Sequence, residues 1–466
     1  MTRYILAGHF GPGDRAAPAV AAADVVQRFD LVVGERGLRY GIGDALRQLR
    51  SLGIFPTEVG LDLLVVAAHV HAADTRLNRV TTSQDGWTRE IDLVVPVSDY
   101  RLWSAAAPVL DRMLRFLTGD HWRCSFRARP PEFVDLVRPG LTGSDPPALD
   151  GVCLFSGGLD SLIGAIDCLE RRRRPLFVSH SGEGAVSKPQ RTLFTMLEAQ
   201  TRTTERPNDI LRRLRLAMAF PRELVPDAGS ENSTRSRSFL FLASGAFAGS
   251  GLGKPFELTI PENGFIALNV PLDSTRLGPN STRTTHPFYL HRWNELLAVI
   301  GIVGEVRNPY WDKTKGEMVQ SCRKPELLRD LVATSVSCAH PSLGRYHGDR
   351  YSHCGLCVPC LIRRAAIEHA WGRRGDPTGY RYEDLTDRAL DPTKAEGRQV
   401  RGFQYAIARL AGRSDIARVL IHKPGSLRED AGRVEDLAGV YMRGMQEVER
   451  LLVGVRTHPT ATPEVA

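Results

Sequence analysis

The stretch Val152-Cys-Leu-Phe-Ser-Gly-Gly-Leu-Asp-Ser161 decides the fold of this chain. Its apolar first half predicts a short buried strand, and apolar residues at helical spacing from Leu162 to Leu169 predict a helix directly after it. The Ser-Gly-Gly-Leu-Asp-Ser turn between them is typical of a phosphate site, because turn amides and the positive end of a helix dipole can face one anion.

Each part of the turn suits such a site. Gly157 and Gly158 allow the backbone to bend tightly, and Ser156 and Ser161 offer hydroxyls to phosphate oxygens. Asp160 can cap the helix or help to hold a metal beside the phosphates. The turn lacks both the Gly-Lys-Ser/Thr of a Walker loop and the Gly-x-Gly-x-x-Gly of a dinucleotide fold.

Composition sets broad limits. With 466 residues the chain should form two or three domains, and 42% hydrophobic and 24% charged residues are typical of a soluble protein. A net charge of +8 suits an anionic ligand such as ATP and leaves nucleic acid open. No apolar run is long enough to cross a bilayer, and the N-terminal apolar segment is too short for a signal peptide, so we expect a cytoplasmic protein without a membrane partner.

Residues 147–373 are predicted to form the catalytic domain, a doubly wound α/β domain with a parallel sheet, because short strands alternate with helices. The predicted elements are strands at Pro175–Ser179, Leu214–Phe220 (where a helix stays open) and Phe256–Ile260, and a helix at Phe239–Gly251. Ser179 and His180 end the strand after the phosphate loop, so we expect them near the adenosine of ATP. The complete predicted ATP site is Ser156, Gly157, Gly158, Leu159, Asp160, Ser161, Ser179 and His180.

The flanking regions carry no catalytic motif. Residues 1–146 predict a small N-terminal α+β domain, and residues 374–466 a C-terminal helical region. The N-terminal elements are strands at Leu61–Ala73, Arg89–Val97 and His121–Arg127 and a helix at Tyr100–Leu117; the C-terminal helices are Gly402–Leu410 and Glu435–Val453. The turn-rich stretch Arg138–Pro147 is the predicted boundary before the catalytic domain.

Polar residues in the second half of the catalytic domain are candidates for the substrate side of the site. Glu262 and Asn263 follow a predicted strand, where a carboxylate and an amide can read the edge of a heterocyclic base. The loop before a further helix supplies Arg283 and His286, and Lys315 begins another helix, where a lysine can meet phosphate. Ordinary turn and capping chemistry explains each of these residues equally well.

Four of the eight cysteines, at 338, 354, 357 and 360, have the spacing of a metal site. Two Cys-x-x-Cys steps with a glycine between the first pair form a tight knuckle, and four thiolates close a tetrahedral zinc shell. An iron–sulfur cluster is the alternative reading of Cys338, Cys354, Cys357 and Cys360. The other cysteines read as ordinary thiols.

The loop Ser156–Ser161 resembles the pyrophosphate loop of the ATP pyrophosphatase (PP-loop) superfamily, and the loop together with the cysteine knuckle resembles QueC, the 7-cyano-7-deazaguanine synthase family. The matching pieces are Ser156–Ser161, Arg237-Ser238, Lys315-Gly-Glu317, Ser337-Cys338 and Cys354 to Arg363. The resemblance covers only about residues 150–370, and implies a HUP-like PP-loop domain that uses ATP and Mg²⁺ to adenylate the carboxylate of 7-carboxy-7-deazaguanine. We assign Asp160, Lys315, Arg283 and His286 to catalysis and Arg237, Glu262 and Asn263 to the substrate.

The chain departs from QueC in two respects. The Tyr-Pro-Asp-Cys-Arg stretch of the QueC base pocket is absent, with Ser281–Pro287 in its place, and the two outer regions have no counterpart. In these respects the chain resembles the longer QueC-like proteins of bacterial anti-phage operons, such as the QatC group and those of type IV CBASS. That resemblance implies transfer of the activated deazaguanine to an amine of a partner protein.

Three alternative functions stay open. The first is plain 7-cyano-7-deazaguanine synthesis with ammonia, and the second is a tRNA-modifying PP-loop enzyme. Against the second, the chain lacks a basic strip interleaved with aromatic residues and a cysteine poised to carry a persulfide. The third is a scaffold that binds ATP without chemistry.

Overall fold

The computed structural model describes residues 2–34, 37–83, 85–137, 148–182, 184–201, 210–231, 233–273, 283–341 and 353–458. The strands are β1 Tyr4–His9, β2 Val25–Asp30, β3 Val32–Val33, β4 Gly37–Leu38, β5 Glu90–Val97, β6 His121–Ala128, β7 Gly151–Leu154, β8 Pro175–His180, β9 Arg212–Leu216, β10 Phe256–Thr259 and β11 Gly304–Arg307. The α-helices are α1 Ile42–Ser51, α2 Glu58–Arg76, α3 Arg79–Thr82, α4 Tyr100–Thr118, α5 Leu159–Glu170, α6 Gly184–Thr201, α7 Arg237–Gly249, α8 Gly264–Leu268, α9 Pro287–Val299, α10 Lys315–Gln320, α11 Pro325–Leu331, α12 Val358–Trp371, α13 Ala395–Leu410, α14 Asp415–Leu420 and α15 Val434–Leu451.

The phosphate-loop stretch lies at the centre of a parallel five-stranded sheet with the order β11-β10-β7-β8-β9. Side chains of β7 alternate between two hydrophobic cores, with Val152 and Leu154 on one face of the sheet and Cys153 on the other. Helices α7 and α9 cover the first face, and α5, α6 and α10 contribute to the second core. The predicted α/β domain with a parallel sheet is confirmed. Of the stretch Leu214–Phe220, which left a helix open, the first three residues lie in strand β9 and the rest lie outside it.

The N-terminal region also contains a parallel sheet, with the order β2-β1-β5-β6. Helices alternate with its strands along the chain, because α2 precedes β5 and α4 lies between β5 and β6. This region is therefore α/β, and not the α+β arrangement that we predicted. The predictions of β5, α4 and β6 are confirmed.

The predicted strand at Leu61–Ala73 is wrong, because these residues lie within helix α2. Every residue from Gly60 to Thr75 is buried, since α2 packs between the N-terminal sheet and α7. A helix that is buried on all sides has no polar stripe, and its sequence therefore lacks the 3.6-residue period that identifies a helix.

One hydrophobic core joins the two sheets. It combines residues of the N-terminal sheet and of α2 and α4 with residues of β7, β8, α7 and α9. Buried ion pairs support it; the Arg89 guanidinium lies 2.7 Å from carboxylates of both Asp74 and Asp120. The predicted boundary at residues 138–147 lies outside the described residues.

The C-terminal helices α13, α14 and α15 form a second cluster with α12 and with residues 265–272. The two predicted C-terminal helices are confirmed; the first lies within α13, and the second matches α15 except for its last two residues. Among the described helices, none combines the length and the apolar character that a bilayer span requires.

Candidate functional site

The phosphate loop lies where the connectivity of the five-stranded sheet reverses direction. From β7 the chain moves through α5 to β8 on one side, whereas β10 returns to the other side of β7. Ligands of open parallel sheets bind outside the carboxyl ends of the strands at such a switch point. The segment after β10, which contains Glu262 and Asn263, therefore faces the loop across this crevice.

The Ser156–Ser161 loop, which we call the phosphate loop after its predicted role, turns tightly at Gly157 and is held by hydrogen bonds between its own residues. Gly157 has a φ of +83°, and a Cβ there would lie 3.0 Å from the Cβ of Gln190. Its N–H donates to the Ser161 hydroxyl over 3.0 Å, and the N–H of Gly158 donates to the Ser156 hydroxyl over 3.3 Å. The serine hydroxyl oxygens thus accept hydrogen bonds from backbone N–H groups of the loop. In a phosphate site, such N–H groups would donate to a phosphate oxygen.

The cysteine region is bound to this loop. Val336 N–H donates to the carbonyl of Gly157 over 3.0 Å, and the Ser337 hydroxyl lies 3.5 Å from the N–H of Leu159. The fully buried Arg363 donates to the Ser337 hydroxyl over 3.3 Å. The position of the loop therefore depends on the segment that leads into the cysteine knuckle.

Asp160 is buried, and its carboxylate points into the protein. Lys315 Nζ lies 2.5 Å from one carboxylate oxygen, and the side-chain amide of Asn263 donates to the other over 2.7 Å. Burial raises the pKa of Asp160, but the Lys315 ammonium and the hydrogen bonds to Asn263 and Glu262 outweigh it and lower the pKa to about 2. The carboxylate stays ionised, and the interior holds it together with a cation.

Glu262 completes this group with a carboxyl of opposite character. Its burial and the charge of Asp160 raise the pKa of Glu262 well above its usual range. Of these two adjacent carboxyls, Asp160 is therefore the one that pairs with the Lys315 ammonium as a carboxylate, and Glu262 is the one that holds a proton more readily. We name Asp160, Glu262 and Lys315 the carboxyl–lysine cluster.

Asn263, which we predicted to bind the substrate, has both ends of its side chain bound within the protein. Its side-chain oxygen accepts from the N–H of Ile266 over 2.9 Å and caps α8, while its amide binds Asp160. Both ends of the side chain are occupied, so it supports the cluster and has no free group for a base edge.

The last two residues of β8, Ser179 and His180, belong to a second polar group. The buried Ser179 hydroxyl donates to the carbonyl of Phe155 over 2.9 Å. The next residue, His180, lies near Arg237, the first residue of α7. Within the described residues neither ring nitrogen of His180 has a hydrogen-bond partner, although the side chain is buried. Burial, Arg237 and His71 lower the pKa of His180 to about 3, so the ring is neutral.

His71 of α2 is a neighbour of His180. Its ring centroid lies 5.9 Å from that of His180, and its Nδ1 lies 3.3 Å from the Ser236 hydroxyl. The N-terminal region thus reaches the edge of the candidate site. No signal in the sequence around His71 indicates this contact, because the polar residues of α2 do not form a stripe along one face of the helix.

Arg283 and His286 lie elsewhere. Arg283 donates to the carbonyl of Phe116 over 3.1 Å and stacks on its ring, and His286 caps α9 by accepting from the N–H of Phe288. In the part of the chain that the structure describes, no hydrogen bond or ring contact joins either residue to the phosphate loop. They hold α9 against α4, so the structure does not support the predicted catalytic role.

The four predicted cysteines come together. Their sulfurs all lie within 4.8 Å of one another, with 3.8 Å between those of Cys338 and Cys357 and 3.9 Å between those of Cys354 and Cys360. Tetrahedral Zn–S bonds of about 2.3 Å place sulfurs about 3.8 Å apart. In a four-iron cluster each thiolate binds a different iron, and the sulfurs stand further apart. The cluster can therefore hold a single metal ion such as zinc.

Backbone amides complete the knuckle. The N–H groups of Leu356 and Cys357 lie 3.4 and 3.3 Å from the sulfur of Cys354, and that of Ala339 lies 3.4 Å from the sulfur of Cys357. Gly355 makes the turn with a φ of +88°. Amides that point at sulfur stabilise thiolates, as a metal site requires.

A separate cleft of about 650 Å³ runs along the edge strand β11. None of the predicted site residues lines it. Asn294 pairs with both the N–H and the carbonyl of Val306 there, over 2.7 and 3.1 Å, and so covers the edge of the sheet. We therefore place the candidate site at the switch point.

Comparisons with protein-family models, with curated proteins and with solved structures found no match to this chain.

Proposed function

We propose that this protein adenylates the carboxylate of a 7-deazaguanine, 7-carboxy-7-deazaguanine, with ATP, and transfers the acyl group to an amine of a partner protein in anti-phage defence. In this proposal, the five-stranded sheet and the helices on its two faces form a HUP-like PP-loop domain. The observation that carries it is the glycine loop at the switch point, joined through Asp160 to Lys315 and Glu262.

Activation needs position and charge more than acid–base chemistry. A substrate carboxylate oxygen attacks the α-phosphorus of ATP, the bond to the bridging oxygen breaks, and pyrophosphate leaves with the electron pair. The loop amides and the hydroxyls of Ser156 and Ser161 suit the phosphates, and the Lys315 ammonium offsets negative charge at the cluster. A neutral amine then attacks the acyl carbon, loses a proton, and AMP leaves.

The carboxyls of the cluster do not form a ready Mg²⁺ site, because Asp160 pairs with Lys315 and the pKa of Glu262 is raised well above its usual range. Mg²⁺ would therefore reach the site on the phosphates of ATP, which supply the oxygen ligands that it prefers. When bound with ATP, Mg²⁺ would supply neutralisation of phosphate charge. The residues themselves hold Lys315 and the start of α8 in place whether or not a cation is bound.

Zinc has a structural role in this proposal. Four thiolates leave no open position for water or substrate, so a metal held by them is not a catalytic one. The segment before Cys338 contacts the phosphate loop through Val336 and Ser337. A folded knuckle would therefore keep the loop in shape.

The substrate side rests on fewer contacts. Arg237 begins α7 beside His180, where a cation and helix amides suit a carboxylate. The neutral His180 ring has hydrogen-bonding groups to offer to a ligand. We assign these two residues to the deazaguanine and its adenylate.

The test incubates the full-length protein with ATP, Mg²⁺ and 7-carboxy-7-deazaguanine. We expect AMP and pyrophosphate in equal amounts, dependent on the deazaguanine. Ser156→Ala should lower this turnover strongly, because its hydroxyl belongs to the loop. The matched control, Ser104→Ala on the exposed side of α4, should behave like the wild type. ADP and phosphate as products, or no turnover, would contradict the proposal.

A further inference from the structure

Two short helices present the groups that bind Asp160. Asn263 is the N-cap of α8, and Lys315 is the first residue of α10. The helices have five and six residues, respectively. Helices of this length are not stable by themselves, so their positions depend on the elements that pack against them.

Helix α15 of the C-terminal region packs against α8. A Cβ on Gly444 would lie 2.4 Å from the ring of Phe265, and Cγ1 of Val440 lies 3.1 Å from the Cβ position of Gly264. The rings of Tyr441 and Phe265 are 6.1 Å apart. These contacts leave α8 no room to move toward α15.

The same face of α15 reaches α10 one turn further on, through Glu447. The buried Glu447 carboxylate accepts from the hydroxyl of Thr314 and, over 3.2 Å, from the N–H of Gly316. A Cβ on Gly316 would lie 2.6 Å from Oε1 of Glu447. Thr314 and Gly316 flank Lys315 in the chain. The Glu447 carboxylate therefore binds the side chain of the residue before the lysine and the backbone of the residue after it.

An ion pair between α15 and α10 lies beside these hydrogen bonds. Arg443 Nε lies 2.6 Å from Glu317 of α10, and Arg443 also donates to the carbonyl of Asp312 over 2.9 Å. This pair is partly exposed and is worth little alone. A capping box of Thr314 and Glu317 sets the first residue of α10, and the buried Glu447 is the residue of α15 that fixes this helix start in place.

We infer that α15 forms part of the catalytic apparatus, with Glu447 as a positioning residue that holds Lys315 against Asp160. The part of this inference that concerns catalysis rests on the proposed function of Lys315, whereas the contact between Glu447 and the start of α10 is independent of that function. Helix α15 of the C-terminal region then belongs to the site, because it packs against both short helices that bind Asp160.

The first test measures the reactivity of Lys315 with an amine-selective acylating reagent in the intact chain, by mass spectrometry. Lys394, whose side chain is 65% exposed, is the internal reference. We expect Lys315 to react slowly in the wild type and several-fold faster in Glu447→Ala. Glu449→Ala, which removes an exposed carboxylate from the same helix, is the matched control and should leave the rate unchanged.

Glu447→Gln should restore protection, because the Gln oxygen can accept from Gly316 and its amide can donate to the Thr314 hydroxyl. Glu447→Asp keeps the charge but is one methylene shorter, and serves as the second variant if Glu447→Ala does not fold. Unchanged Lys315 reactivity in the folded Ala or Asp variant would overturn the inference.

The second test follows AMP formation. We expect Glu447→Ala to lower kcat with little change in the KM for ATP, and Glu447→Gln to recover most of the loss. Equal losses in the Gln and Ala variants would contradict positioning through these hydrogen bonds. If the wild type forms no AMP, the proposed function fails, whereas the reactivity of Lys315 still decides the inference.

Discussion

Nζ of Lys315 lies 2.5 Å from Oδ1 of Asp160, and both side chains are buried. The two residues are 155 positions apart in the chain. Their pair connects the phosphate loop after β7 to the start of α10, and Glu262 and Asn263 join it from the segment after β10. The first prediction follows from the burial of this pair.

Lys315→Met should destabilise the protein by about 3–5 kcal/mol, because it leaves the Asp160 carboxylate buried without a cation. The double variant Asp160→Asn/Lys315→Met should recover much of this free energy of unfolding but form no AMP. Urea unfolding and the AMP assay measure the two effects, with Lys313→Met as the matched control. A fully stable single variant would show that the pair is not formed.

Gly157→Ala should weaken ATP binding, measured by calorimetry, by about tenfold or more. The substitution places a Cβ in the left-handed region, at a cost of about 1–2 kcal/mol, and against Gln190. Gly412→Ala is the matched control, because Gly412 also has a positive φ but no atom near its Cβ position. ATP binding should persist in the control, and equal binding by both variants would argue against a phosphate site at the loop.

The purified protein should contain about one zinc per chain, measured by elemental analysis, since four thiolates close one shell. Cys357→Ser should lower the folding yield, because metal-binding energy is largely folding energy. Cys168→Ser, outside the cluster, is the control and should keep both the metal and the yield. Stoichiometric iron with visible absorption would replace zinc with an iron–sulfur cluster.

Burial raises the pKa of Glu447 to about 7, and Glu317 adds to the shift, whereas Thr314, Gly316 and Arg450 oppose it. The folded protein then binds a proton that the unfolded chain releases near pH 4.5, so stability falls as pH rises from about 4.5 to 7. The loss should be at most about 3 kcal/mol. Glu447→Gln should flatten this part of the profile in urea unfolding, and Glu449→Gln should not.

His369 also contacts this region and titrates with a lowered pKa, because it is partly buried and lies beside Arg450. Its contribution is present in both variants and cancels from their difference. An identical slope for the wild type and Glu447→Gln would show that Glu447 is not the group that titrates.

The acceptor is predicted to be the N-terminal amine of a partner protein. An amine must be neutral to attack, and an α-amino group with a pKa near 8 meets this condition at pH 7 far more often than a lysine near 10.4. Intact-mass analysis of proteins from neighbouring genes, co-expressed with the wild type or Ser156→Ala, should show a loop-dependent deazaguanine adduct. Unmodified partners with free 7-cyano-7-deazaguanine would instead indicate synthesis with ammonia.

Local patterns were sufficient for much of the fold and for the metal cluster. The strand, glycine turn and helix around Ser156–Ser161 follow from residue order alone, because neighbouring residues determine turn geometry and helix starts. The spacing of the four cysteines likewise determines that their sulfurs can meet at one point.

Only the tertiary structure decided the rest. The partners of Asp160 lie 103 and 155 residues away, and no local pattern reports which distant groups a buried carboxylate will meet. The same holds for Arg283 and His286, which pack against Phe116 and not against the loop. Helix α2 was predicted as a strand, because a helix that is buried between two layers has no polar face. The role of Glu447 was not predicted, because it depends on a contact with a residue 133 positions away. Sequence alone determines local geometry, whereas the packing of distant elements determines which side chains share a site.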